Sequence, residues 1–153
     1  MNGVVVHACP LLVPGASAFR PGPPDDRARI TVPDDAVEVV RPLLAGHDRE
    51  RAVLVALDTR HRVIATTLVS IGTAANTFLA PREVFRDALG LGASAIVVAH
   101  NHPSGDARPS DDDRQITRRL AQAGATIGID LLDHLVIGDP EWTSLARLGV
   151  CGG

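Results

Sequence analysis

Apolar residues recur at helical spacing near the start of the patterned part of the chain. Val37, Val40, Leu43 and Leu44 share one face of a helix that Asp34 or Asp35 can cap and that runs to about residue 45. Pro42 is expected to bend this helix or end it early, and Gly46 stops it. Residues 51–57 form an apolar run of strand length. Residues 58–61 (Asp-Thr-Arg-His) are a turn of hairpin size, and the β-branched stretch 63–69 predicts a second strand. Pro81 opens a helix, Glu83 lies early in it, and Gly90 or Gly92 closes it. A short buried strand, 94–99, runs straight into His100. A polar loop follows, then a helix over roughly 111–123. Residues 127–137 supply one or two further strands, and the region around Trp142 and Leu145 reads as a turn packing on the sheet. Strands alternate with helices, which makes the fold class α/β.

The chain has 153 residues, the size of one domain, and 45% hydrophobic with 22% charged residues is an ordinary globular balance. That length buries enough apolar surface to fold without a disulfide or a metal. With three Phe, one Trp and no Tyr, the core must be built from Val, Leu, Ile and Ala. Residues 1–29 are rich in Pro, Gly and Ala without sustained period. They read as a loose leader to a compact domain over 30–150.

A net charge of −3 and a pI near 6.0 argue against nucleic-acid binding by electrostatics. Arg114, Arg118 and Arg119 sit beside Asp111, Asp112 and Asp113, as on a solvated helix face. Cys9 and Cys151 form no CxxC. They read as unremarkable thiols, with an end-to-end bridge as the alternative. No stretch reaches the roughly 18 apolar residues of a membrane span. The N-terminus lacks the basic region of a secretory signal, so the expected location is cytoplasmic, with no membrane partner.

The chemistry concentrates in residues 100–113, HNHPSGDARPSDDD. Two histidines at i and i+2 on an extended segment face the same side. The loop after them has two prolines and a glycine and enters a helix at Ser110. Asp113 falls on that helix's first turn, where it can swing back toward the strand end. Two His and a carboxylate, with one position left for water, make up a catalytic zinc site, whereas structural sites are closed by four protein ligands, usually with Cys. Ser110-x-x-Asp113 is also a capping-box pattern, and the two roles are compatible. His134 alternates with apolar residues and reads as a core histidine. Orienting a metal ligand is its alternative role.

HxH, seven residues, Ser, two residues and Asp is the JAMM motif of the MPN-type metallopeptidases. AHNHPSG at 99–105, PREVFRDAL at 81–89, LDHLVIG at 132–138 and IGT at 71–73 resemble the bacterial RadC family. The similarity covers roughly residues 30–149. It implies an MPN fold, a mixed, curved sheet flanked by helices and related in architecture to cytidine deaminases. It implies His100, His102 and Asp113 as zinc ligands, Ser110 as support for an oxyanion, and a peptide or isopeptide-linked protein as substrate. RadC-like proteins usually carry an N-terminal helical, DNA-binding-like region, and residues 1–29 are too short to be one. The family's DNA-repair label therefore gains no support from the leader or from the charge.

The resemblance also implies a glutamate that takes a proton from water, expected a few residues before the GT. The stretch 65–71, ATTLVSI, has no acidic residue. Glu83 is an imperfect substitute, and Asp58 and Asp106 are further candidates. Two readings follow. One is a zinc-dependent hydrolase of amide or isopeptide bonds with weak or impaired activity. The other is a catalytically inactive metal-binding module acting through protein partners or DNA-repair complexes. A zinc deaminase would need HxE and PCxxC, which are absent. The oligomeric state is not legible.

Overall fold

Five strands form one sheet in the order β2-β1-β3-β4-β5 in a computed structural model, which describes residues 26–72 and 79–151. The elements run α1 (Pro33–Leu44), β1 (Arg51–Leu57), β2 (Val63–Ile71), α2 (Pro81–Gly90), β3 (Ala95–Asn101), α3 (Asp111–Ile127), β4 (Asp130–Ile137) and β5 (Trp142–Ser144). The β1–β2 hairpin is antiparallel, β3 joins β1 antiparallel, β4 joins β3 parallel through α3, and β5 closes the edge antiparallel. The expected mixed sheet flanked by helices is therefore present.

Both faces of the sheet are covered, so its centre reads as unbroken apolar runs, and every residue of β3 is buried. On one face, Val37, Val40 and Leu44 of α1 pack on Val53, Val55, Val97 and Leu135. On the other, Val84 and Phe85 of α2 and Leu120 of α3 pack on Leu54, Ala56, Ile96 and Val98. The alternation of side chains along β1 and β3 assigns odd residues to the first face and even residues to the second. That parity places the even-numbered His100 on the α2–α3 face.

The local chemistry explains most boundaries. Helix α1 runs through Pro42 to Leu44 rather than ending early. Pro42 lies in the last turn, and the helix ends two residues beyond it. Asp35 sits in the first turn, and its carboxylate accepts from the Thr31 and Val32 amides at 2.7 and 3.0 Å. The hairpin turn is held by Asp58, whose Oδ1 accepts from the Arg60 and Arg62 amides at 2.8 and 2.9 Å. Helix α3 continues four residues past its expected end to Ile127 and stops at Gly128, whose φ of 77° suits glycine.

Residues 127–137 hold the end of α3 and one strand, the lower of the one or two expected. One expectation is corrected. Trp142–Ser144 is a strand rather than a turn. The chain reverses after Ile137, with the Gly138 amide donating to the Glu141 carbonyl, which lays Trp142 against Ile137 on the open edge of β4. Residues 1–25, which hold most of the expected leader and Cys9, lie outside the described residues, as does Thr73 of IGT. Arg29 bridges to Arg62 and Ile30 is buried. Cys151 is a free thiol. No helix among the described residues is long and apolar enough to cross a membrane.

Candidate metal centre

Strand β3 ends at Asn101 beside the end of β4, and the loop 102–110 leads into α3. The carboxyl ends of two adjacent parallel strands and a helix N-terminus thus meet at one place. The loop is pinned there. The His102 amide donates to the Ile137 carbonyl at 2.9 Å, and the Asp139 amide donates to the Gly105 carbonyl at 3.0 Å. The approach is so close that a Cβ on Gly138 would lie 2.3 Å from the Gly105 carbonyl oxygen, which is why glycine occupies that position.

His100, 1% exposed, closes β3 on the α2–α3 face, and His102 stands one turn of the pleat further on. Their Nε2 atoms are 3.0 Å apart. Asp113, on the first turn of α3, brings Oδ1 to 3.1 Å from His100 Nε2 and Oδ2 to 3.4 Å from His102 Nε2. One donor atom from each residue falls within 4.8 Å of the others, the one such group among the described residues. Ser110 is the N-cap of α3. Its Oγ accepts from the Asp113 amide at 3.0 Å while its own amide donates to Asp113 Oδ2 at 2.8 Å. This reciprocal box fixes the Asp113 rotamer, and the hydroxyl proton of Ser110 stays free for another acceptor.

The outer ring nitrogens are held too. His102 Nδ1 donates to the Asp106 carbonyl at 2.8 Å, which leaves the Nε2 of a neutral ring with a bare lone pair aimed into the cluster. His100 Nδ1 lies 2.8 Å from His134 Nε2, and His134 Nδ1 lies 2.6 Å from Thr117 Oγ1. The donor set, two imidazole nitrogens and one carboxylate oxygen converging from anchored side chains, fits zinc.

Electrostatics reflect the crowding. Burial works against the Asp113 charge, but the hydrogen bonds from His100 and His102 hold its carboxyl well below the usual carboxylate range. The hydrogen bond to Asp113 raises the His102 pKa against the opposing effect of burial. The Glu50 charge adds to that rise.

Glu50 is the site residue that sequence reasoning missed. It lies just before β1 and is only 7% exposed. Ala52 faces His100 across the β1–β3 pair, so Glu50, two residues back, stands level with His102 on the same face. The expected acidic position before the GT falls on β2, one strand further out. An acid placed directly ahead of the first apolar strand run was the available signal. The substitutes stand elsewhere. Glu83 pairs with Arg86 at 2.7 Å on the exposed first turn of α2. The Asp106 carboxylate is engaged by Arg108 at 2.7 Å. Asp58 follows the opposite end of β1. The core and ligand-orienting alternatives for His134 coincide, because it is fully buried and touches His100.

Residues 30–150 match the model of the RadC-like JAB domain. A UPF0758 protein of Desulforamulus reducens is 41% identical over 128 residues, 84% of this chain and 56% of that protein. A UPF0758 protein of Rubrobacter xylanophilus is 43% identical over 113 residues, 74% of this chain and 50% of its own length. A UPF0758 protein of Moorella thermoacetica is 44% identical over 119 residues, 78% of this chain and 52% of that protein. The chain thus spans about half the length of the relatives it matches. On both grounds, the chain belongs to the RadC-like JAB domain family.

Proposed function

We propose that this domain is a zinc-dependent hydrolase of amide or isopeptide bonds, with His100, His102 and Asp113 holding the metal. The observation that carries the reading is the convergence of His100 Nε2, His102 Nε2 and the Asp113 carboxylate, with Glu50 level with His102 on the same face. Zinc in such a site supplies a Lewis acid and draws the pKa of water toward about 7.

The chain's own groups do the rest. The Glu50 carboxylate takes a proton from the attacking water and delivers it to the leaving amide nitrogen, a role worth roughly 10²–10⁴ in rate. Glu50 stands outside the group of converging donors, which suits a base acting next to a ligand set rather than within it. The Ser110 hydroxyl, with its proton uncommitted, donates to the carbonyl oxygen as charge develops there. Before metal binds, Asp113 is already a carboxylate, its carboxyl held well below the usual range.

The absent glutamate favoured the reading of an inactive module. Glu50 removes that ground. The substrate class is a peptide or an isopeptide-linked protein, and the net charge of −3 gives no electrostatic footing for nucleic acid.

Metal analysis and turnover together test the reading. The purified chain should hold about one zinc, lost in His100→Ala/His102→Ala. Glu50→Gln should keep the zinc and lose cleavage of a peptide and isopeptide library. Equal zinc in the histidine variant, or full cleavage by Glu50→Gln, rules the assignment out.

A further inference from the structure

We infer that Thr117 and His134 form a relay that holds the His100 ring in the tautomer a metal requires, which makes both of them positioning residues of the metal centre. The inference rests on the reading of His100 as a metal ligand.

Three short contacts line up in the buried wedge between β3, β4 and α3. His100 Nδ1 lies 2.8 Å from His134 Nε2, His134 Nδ1 lies 2.6 Å from Thr117 Oγ1, and Thr117 Oγ1 lies 2.5 Å from the Asp113 carbonyl oxygen. A carbonyl only accepts, and a threonine has one hydroxyl proton. With neutral rings, the chain of bonds therefore runs in one of two directions. In the forward direction Thr117 donates to the Asp113 carbonyl and accepts from His134 Nδ1–H. His134 Nε2 then accepts from His100 Nδ1–H, and His100 Nε2 is left as a lone pair. In the reverse direction Thr117 donates to His134 Nδ1, His134 Nε2–H donates to His100, and the His100 proton sits on Nε2, against Asp113.

A metal on His100 Nε2 is compatible with the forward direction alone. The Thr117 hydroxyl is the pivot between the two, because it alone can turn from the ring to the carbonyl. His134 and Thr117 are each 0% exposed, so no bulk water replaces either as an acceptor. Without the hydroxyl, the forward direction leaves a buried His134 N–H with no partner, and that cost falls on metal binding. Asp113 serves at both ends, its carboxylate beside His100 Nε2 and its carbonyl at the end of the relay. Helix α3 thereby sets the position of one donor and the protonation pattern of another.

Zinc affinity, measured by competition with a chromogenic chelator, tests the relay. Thr117→Ser keeps the hydroxyl and should bind zinc nearly as wild type does. Thr117→Val keeps the shape and should bind 10–100-fold more weakly, the range for losing a partner of a ligating histidine. Its metal-free unfolding temperature separates lost folding from lost positioning. Nitrogen-15 spectra of the zinc-loaded wild type should show His134 protonated at Nδ1 and bare at Nε2. That measurement needs no variant, so it stands if the valine form fails to fold. A folded Thr117→Val with wild-type affinity, or zinc-loaded His134 carrying its proton on Nε2, overturns the relay alone. A wild type that takes up no zinc overturns the metal reading, and the relay with it.

Discussion

Asn101 grips the backbone on both sides of Glu50. Its Oδ1 accepts from the Arg51 amide at 2.7 Å and its Nδ2 donates to the Arg49 carbonyl at 3.1 Å, with the side chain 3% exposed. The residue between the two histidines thus ties the β3 end to the start of β1, where the proposed base sits. Asn101→Ala should cost about 1 kcal/mol in denaturant unfolding, because it leaves two part-buried backbone groups without their side-chain partner. Turnover should fall further than zinc content does. Unchanged stability would show that water takes over both bonds.

On the proposed function Ser110 has two separable duties. Ser110→Ala should lose about 1 kcal/mol of stability with the N-cap. It should also lose 10²–10³ in turnover with the oxyanion donor. Ser110→Asp caps a helix well but offers no proton, so it should keep stability and lose turnover. Equal activity in serine and aspartate forms would remove Ser110 from the chemistry.

Glycines 90 and 138 should respond oppositely to alanine. A Cβ at Gly90 meets nothing within 4 Å, so Gly90→Ala at the end of α2 should raise the melting temperature slightly. A Cβ at Gly138 meets the Gly105 carbonyl, which as backbone cannot turn aside. Gly138→Ala should therefore cost roughly 1–3 kcal/mol and weaken zinc binding by shifting the loop. Calorimetry of the two variants with and without zinc checks both directions.

Cys151 should resist alkylation in the folded chain. Burial, with the Asp133 charge behind it, pushes its pKa up to about 12 from an ordinary 9. The reactive species is the thiolate, so the reaction with iodoacetamide at pH 8 should be far slower at Cys151 than in the denatured chain. The rate should climb only as the pH approaches 12. Peptide mapping by mass spectrometry follows this cysteine separately from Cys9. Fast labelling of native Cys151 near neutral pH would contradict the burial argument.

The elements were legible where pattern and punctuation agreed. Pro81 and Gly90 bounded α2, and the apolar runs marked β1 and β3. The cluster was legible because three of its side chains lie on one short stretch with its own spacing. Glu50 was not, because its place depends on the β1–β3 register, a pairing across about fifty residues that no local period encodes. Thr117 was hidden likewise. On the sequence it is one more polar helix residue, and only the packing of α3 on β4 brings it against His134. Trp142–Ser144 failed for the converse reason. Three residues are too few to carry a strand pattern, and the open edge of β4 decides their conformation.

The three converging donors all come from residues 100–113, whereas Glu50 arrives from just ahead of β1. On the proposed function, metal capture and bond cleavage are thus written in separate stretches of the chain and can be inherited separately. A single substitution at Glu50 would turn such a domain into a metal-bearing scaffold with its shape intact. No single change on the loop would do the reverse. Within a family built this way, proteins that keep the metal but have left catalysis behind should be one mutation away from active ones.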